Sequence, residues 1–577
     1  MAHKEEDGGS HDEGFASSSS NDSDGAESRD YRVFDLFRGS IRTRSRIEFP
    51  FVRPSAEFSH WIPTHLQSAL MARRPRGPIL RRRPARHEDR ISALPDDLLL
   101  LLLRKIDTHT ALGAGTLSRR WAHLPRQLPD LDFRVGDILP PRYHKWLFVG
   151  NGSESEYGWQ TSEKEIRPNI RRFERRAMRS LVRSVQSFLD AGHDGRRVNK
   201  LRLEFFTTHN TACINRLLAK AIDAWGAVSL EVLAKPIHGE RQVHAFPSHG
   251  LCEEPRASRL QSLKLGGCVP PPLHEYSALS TLVLQDMPLS TPEAAYEGVF
   301  TSCPQLQVLH LISCQCGDQI VVDAPRSQIR ELVLDKCHFI RLCMRALPCL
   351  ERLASLETRV LFESASFPCL TQYNLKLGFG DNLGKFTQYF VNIFKAQIGL
   401  FFRHTREITN LLIRFTGAVR WIVPSSSPAT FLPNLRRLLV ADVPSSWDVS
   451  WPRLLLETAP NLHTFHVHLD PSLADPGDEI PWQPTMLRHD HLKEFVMVGF
   501  QAMERQLYLV KFVVEVCTAL CHVALFKDGH VRDKGHWDWE LVTEQYSWTQ
   551  EEKGALLNQI MDGVSSSSIV PSQLVFG

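Results

Sequence analysis

The sequence predicts an α/β chain: a small α-helical unit at residues 89–133, followed by an irregular leucine-rich-repeat solenoid. Three observations predict it. Residues 89–133 hold a dense leucine run between turn-forming residues. From about residue 198 a pattern of the form L-x-x-L-x-L-x-x-C recurs. The chain has 577 residues, too many for one ordinary core, so it needs several domains or one elongated repeat domain.

Composition sets the frame. Apolar residues make up 42% and charged residues 23%, ordinary for a globular protein. The formal charge of +3 gives the whole chain no strong pull on nucleic acid. The first residues, MAHKEEDGGSHDEG, carry no apolar run behind a basic start, so no secretory signal is expected. Leu507–Phe526 is the most apolar segment, but Lys511 and Glu515 interrupt it on one helical face. It reads as an amphipathic helix and not a membrane span. The twelve cysteines are expected as free thiols of a reducing compartment, with no C-x-x-C knuckles for a metal.

Residues 1–88 are expected to be disordered, acidic at first and then arginine-rich. Residues 1–30 hold nine acids against Lys4 and Arg29. Arg73–Arg86 holds seven arginines, three prolines and no acid. It reads either as a solvated linker or as a nuclear-import signal or polyanion contact.

Within residues 89–133, Pro95 sits where a first-turn proline is tolerated. Asp96 and Asp97 favour the positive helix N-terminus. The leucine run that follows makes a helix apolar on nearly every side, which needs cover from its own domain and from a partner. Thr116 starts a second helix with Leu117, Trp121 and Leu124 on one stripe, stopped by Pro125 and Pro129. A unit this small cannot bury so much apolar surface alone, so it reads as a docking element. Residues 134–197 form a helical linker, in which Phe173, Ala177, Leu181, Val185 and Phe188 mark the apolar stripe of a helix over 170–189. The arginines opposite read as a solvated face.

The repeats occupy residues 198–470. Four clear copies begin at Leu260, Leu279, Leu306 and Ile329, at intervals of 19, 27 and 23 residues. In each, the L-x-L leucines point inward, the residues between point outward, and the last position, Cys268, Cys314 or Cys337 with Met287 replacing it once, turns into the core. Lys264, Val283, His310 and Val333 are therefore outward-pointing and mark the strand face as a candidate partner surface, along with the C-terminal end. Degenerate copies follow, including EITNLLIRF, NLRRLLVADV, NLHTFHVHL and HLKEFVMVGF, with an inserted helix expected at Leu383–His404.

The segment Leu94-Pro95-Asp96-Asp97-Leu98-Leu99, with Leu117-Ser118-Arg119-Arg120-Trp121, resembles an F-box. The order F-box, leucine-rich repeats, then HLKEF…GF…LVKF (His491–Phe495, Gly499-Phe500 and Leu509–Phe512) is similar to plant F-box/LRR proteins carrying a C-terminal FBD segment. On this resemblance residues 471–530 are FBD-like and 531–577 are a C-terminal tail. The resemblance implies the non-catalytic substrate receptor of an SCF-type ubiquitin ligase, binding a Skp-type adaptor and through it a cullin. The residues matching the adaptor-facing pattern are Leu94, Pro95, Leu98, Leu102, Ile106, Leu117, Ser118 and Trp121. For Leu102, Ile106 and Trp121, packing inside the unit itself is the competing reading.

No G-x-S-x-G, P-loop or H-E-x-x-H motif occurs, so no enzyme, cofactor or metal site is expected. His466 and His468 share one strand face but read as surface histidines. The alternative function is a ubiquitin-independent leucine-rich-repeat scaffold. Nucleic-acid binding through Arg73–Arg86 ranks third. The expected partners are the adaptor, the cullin complex and an unidentified target protein, with no membrane, in the nucleus or cytoplasm.

Overall fold

The computed structural model describes residues 94–577 apart from 115–119, 122, 151–162, 191–196, 209–210, 379–395, 398–401, 403, 417–421, 424–431, 445–450, 471–487, 545, 547 and 563–572. Helices and parallel strands alternate along these residues, an α/β architecture. The acidic and arginine-rich segments, Leu117, Ser118 and most of Leu383–His404 lie outside the described residues.

Fifteen strands form one sheet. In sheet order they are β1 (Asp130–Arg134), β2 (Lys200–Phe206), β3 (Ser229–Lys235), β4 (Ser262–Gly266), β5 (Thr281–Gln285), β6 (Val308–Ile312), β8 (Glu331–Asp335), β10 (Arg352–Leu356), β12 (Gln372–Gly378), β14 (Asn410–Thr416), β16 (Arg437–Pro444), β17 (Thr464–Asp470), β18 (Glu494–Val498), β19 (His522–Phe526) and β22 (Leu574–Phe576). A smaller sheet holds β7 (Gln315–Asp323), β9 (His338–Ala346) and β11 (Leu361–Ser366), while β13 (Ala396–Gln397) pairs with β15 (Ile422–Val423). An antiparallel hairpin joins β20 (Asp528–Lys534) to β21 (Asp538–Glu544).

Every pairing in the large sheet is parallel, and strand follows strand in chain order. The register aligns the second leucine of the pattern across the sheet. Leu131, Leu201, Leu230 and Leu263 lead to Leu282, Leu309, Leu332 and Leu353. The row continues through Tyr373, Leu411, Leu438, Phe465, Phe495 and Val523 to Leu574. All of these are buried. One strand cannot bury its own leucines, and each row member is covered by its neighbours.

The strand exits repeat a conformation as well. Asp286, Ser313, Lys336 and Glu357 each follow a strand with φ between 50° and 52°, and Gly267 and Gly499 take the same role at 61° and 83°. This left-handed residue turns the next side chain back into the core. Cys314 then donates its thiol to the Leu284 carbonyl at 3.3 Å, and Cys337 to that of Leu311 at 3.2 Å. Burial pushes the Cys268 thiol up to about 12, so it stays protonated.

The small N-terminal unit consists of α1 (Asp96–Leu103), α2 (Thr108–Ala114) and a tight helical turn at Leu124–Gln127. Pro95 stands just before the first helical residue, and Pro125 opens the later turn where the sequence suggested a stop. Leu99, Leu103, Ala111, Leu124 and Leu128 form its core. The Asp132 amide donates to Thr108 Oγ1 at 2.7 Å, which ties this unit to the first strand.

Two longer helices, α3 (Pro141–Gly150) and α4 (Glu163–Asp190), follow. Ala177, Leu181, Val185 and Phe188 of α4 are buried as the spacing predicted, though α4 begins earlier than residue 170. Further helices α5 (Ala212–Ala219), α6 (Glu293–Ser302), α7 (Trp451–Thr458), α8 (Glu504–Val516) and α9 (Gln550–Met561) connect strands. The segment expected as one helix over Leu507–Phe526 divides into α8 and β19. No helix among the described residues is long and apolar enough to cross a membrane.

The row makes a quantitative prediction. Leu309→Ala, fully buried at its centre, should cost about 2–5 kcal/mol, and Lys264→Ala on the open face less than about 0.5 kcal/mol. Urea unfolding of both variants checks this.

Candidate functional site

Two surfaces stand out, one on α1 and one on the large sheet. On α1 the leucine run divides between two faces. Leu99 and Leu103 turn inward, while Leu98, Leu101, Leu102 and Ile106 are 45%, 52%, 44% and 43% exposed. Leu98 and Leu102 share one face of α1 at i, i+4 spacing, with Leu101 beside them, and the stripe runs on to Ile106 in the turn after the helix. A contiguous leucine patch on so small a unit is what partner-binding surfaces display.

The eight residues singled out by motif fall into three groups. Leu98, Leu102 and Ile106 lie on this open stripe. Leu94 and Trp121 instead pack against the unit's own core, and Pro95 is exposed just before the helix. Leu117 and Ser118 lie outside the described residues. Leu101 was not singled out, although the unbroken LLLLLL run contains it. Arg120 fixes the helix start: its Nε donates to Asp96 Oδ1 at 2.7 Å and its Nη2 to the Leu94 carbonyl at 2.5 Å.

The outward face of the large sheet changes character along its length. On β2 to β6 the central outward residues Arg202, Glu231, Lys264, Val283 and His310 are half-buried. From β8 onward most are buried, namely Val333, Ala354, Asn374, Leu412, Leu439 and Val496, while His466 on β17 is half-buried. Val333 thus corrects the expectation that it offers a partner surface. The β20–β21 hairpin accounts for the covered part. Trp539, Val531 and Leu541 pack on Leu412, Leu439 and Ala441, and Leu541 also meets the cluster of Val496, Val498 and Ala524.

Polar contacts frame that apolar centre. Trp539 Nε1 donates to His466 Nδ1 at 3.0 Å, and His466 Nε2 lies 2.8 Å from Glu494 Oε1. The neutral His466 tautomer that satisfies both carries its proton on Nε2. Asn374 donates to the His536 carbonyl at 2.9 Å, and Arg352 stacks 5.5 Å from the Trp537 ring centre. Arg437 bonds Asp538 at 3.1 Å and lies 4.4 Å from the Trp539 ring centre. Arg414 pairs with both Asp442 and Asp533. His466 and His468, which share a face as expected, are thereby occupied, the second by Asp442 at 3.1 Å.

The electrostatics follow. Burial pushes the Asp442 carboxyl up, but the His468 hydrogen bond and the Arg414 guanidinium outweigh it and hold the group below its usual range. Burial, reinforced by neighbouring His310, holds His536 below the ordinary histidine value. Among the described residues no group of three or more His, Cys, Asp or Glu side chains is arranged to hold a metal ion.

These features define an α/β protein with an open leucine stripe on its first helix and a sheet face half covered by its own hairpin. No family model matches the chain. Three relatives from Arabidopsis thaliana are similar to short stretches of it. An F-box/FBD/LRR-repeat protein is 49% identical over 47 residues, covering 8% of this chain and 10% of the relative. A second protein of that description is 37% identical over 67 residues, covering 12% and 15%. An FBD-associated F-box protein is 33% identical over 78 residues, covering 12% and 17%. The chain is thus similar to plant F-box/FBD/LRR-repeat proteins, through matches that span about a sixth of those relatives or less.

Two outcomes test the hairpin's docking. Trp539→Ala should loosen residues 528–544 by about 3 kcal/mol, seen as faster amide exchange there while β2–β6 stay protected. His536 is held low, so its contribution to docking is present above the ordinary histidine value and lost as pH falls from there through its lowered folded value. Asp442, also held low, loses its contribution only at lower pH, below the ordinary carboxylate range. Exchange of the β21 amides, corrected for intrinsic rate, should therefore rise between about pH 7 and pH 5, around the usual histidine pKa.

Proposed function

We propose that this protein is a non-catalytic substrate-recognition subunit of an SCF-type ubiquitin ligase. In this reading residues 89–133 are an F-box that docks a Skp-type adaptor, which in turn links to a cullin. The large sheet is a leucine-rich-repeat solenoid that holds the target protein, with 471–530 as an FBD-like segment. The observation that carries the reading is the open stripe of Leu98, Leu102 and Ile106, widened by Leu101, on a unit whose own core is already filled by Leu99 and Leu103. Covering one such half-exposed leucine contributes about 1 kcal/mol, so the four together support stable association. The short matches to F-box proteins point the same way.

The target would lie on the open β2–β5 part of the sheet face, because the hairpin turn reaches His310 on β6 and the hairpin packs on later strands. Ubiquitin transfer itself would be done by bound partners, with this chain raising effective concentration by positioning. The site of action would be the nucleus or cytoplasm, with its cysteines as free thiols. The alternative, a scaffold that works without ubiquitin, keeps the solenoid and gives up the adaptor.

Leu98→Asp together with Leu102→Asp should weaken binding of the full chain to a purified Skp-type adaptor by more than about tenfold, about 1.4 kcal/mol, with circular dichroism unchanged. Isothermal titration checks this. Undiminished binding would show that the adaptor sits elsewhere. No binding by the wild-type chain would favour the scaffold.

A further inference from the structure

The exposed side of α4 carries an arginine track that nothing in the proposed function uses. Arg172, Arg176, Arg179 and Arg183 are exposed and spaced i, i+4, i+7, i+11. That spacing puts all of them on one stripe, running about 16 Å along the helix. Among the described residues none of these has a carboxylate partner. Arg179 and Arg183 turn their Nε groups back onto carbonyls of their own helix, those of Arg175 at 3.3 Å and Arg179 at 3.2 Å. Their terminal nitrogens are left for solvent or a ligand.

Several other arginines are engaged instead. Arg175, one step off the stripe, reaches Glu240 at 3.0 Å, and Arg171 donates to the His238 carbonyl at 2.8 Å. Arg202, Arg330, Arg345, Arg352, Arg414 and Arg437 all meet carboxylates. Like charges at helical i, i+3 and i, i+4 spacing destabilise a helix. The track therefore opposes folding unless an anion relieves it.

The track ends in an open cleft lined by Arg126, Arg183, Gln186, Ser187 and Asp190. Arg126 comes from the Leu124–Gln127 turn of the N-terminal unit, and its Nε is buried with no hydrogen-bond partner. A buried guanidinium nitrogen without an acceptor is costly, so the half-buried Arg126 side chain gains by turning toward an anion held in the cleft. Asp190 is the carboxylate at this end, which places the anion toward Arg183 and Arg126.

We infer that this track binds an extended acidic segment of a partner polypeptide, with carboxylates or phosphates bridging successive guanidiniums. About five extended residues span 16 Å, matching the length of the stripe. Arginine forks suit bidentate pairing with either group. A nucleic acid fits less well, because single strands need stacking platforms. The aromatic residues of α4 face inward: Phe188 packs edge-on against Phe133 and Trp225, and Phe173 joins the cluster of Tyr143, Ile166 and Ile170. The track is separate from the leucine stripe of α1, so it stands or falls independently of the adaptor.

The test is fluorescence anisotropy of the full chain with a labelled twelve-residue peptide of alternating Glu-Glu-Ser, at low salt. The comparison protein is the variant R172Q/R176Q/R179Q/R183Q, whose changes are all on exposed positions and should not lower its thermal stability. The expected result is binding that weakens at least about tenfold in the variant and falls with added salt. Arg126→Gln alone should weaken it by a smaller factor. Equal binding by both proteins, or no binding by the wild type, overturns the proposal. A single-stranded oligonucleotide of equal charge that binds tighter than the peptide through the same arginines overturns the assignment to a polypeptide.

Discussion

The parallel ladder of the large sheet is the constraint on which the rest depends. Its strands are short, five to eight residues in all but the final one, and each places only two or three core side chains inward. Such a strand has no stable existence alone. It persists because the row from Leu131 to Leu574 is continuous, each member between the two ends covered on both sides. The turn chemistry serves the same end. A left-handed residue after the strand, followed by a buried Cys, Met, Phe or Thr, brings the chain out of one layer and into the next.

A sheet with one face filled by leucine rows still has a second face to account for. This chain treats the two halves of that face differently. The β2–β6 half carries charged and polar residues that tolerate water, paired across strands as in Arg202 with Asp132 and Glu231. The later half carries Leu412, Leu439, Ala441, Val496 and Val498, which do not. The β20–β21 hairpin resolves this by laying Trp539 and Leu541 over them, with charged contacts at the rim. The consequence for function is geometric: the face available to a partner is shorter than the sheet.

Much of this was legible in the residues. The L-x-x-L-x-L spacing identified the inward leucines and the buried cysteines, and the apolar stripe of α4 was read position by position. The covered half-face was also written in the sequence, because EFVMV and HVALF are apolar at consecutive positions, as strands buried on both faces are. What covers them was not legible. Asn374 bonds His536 across 162 residues of chain, and no local pattern encodes such a contact. The alternation Trp537, Trp539, Leu541 after Gly535 is a hairpin signal, yet it sits in what motif order assigned to a tail. For the same reason Val333 looked outward and available. On α1, an unbroken leucine run has no period from which to tell Leu98 and Leu101 from Leu99 and Leu103. Only the packing of Leu124 and Leu128 beneath decides which side is the core.

The account rests most heavily on α1 being a docking helix. Hydrogen exchange of the full chain, alone and with a Skp-type adaptor, tests it most directly. The account predicts slowed exchange confined to residues 94–121, with the large sheet and its hairpin unchanged. No change over 94–121, or protection appearing on the sheet face instead, would contradict it.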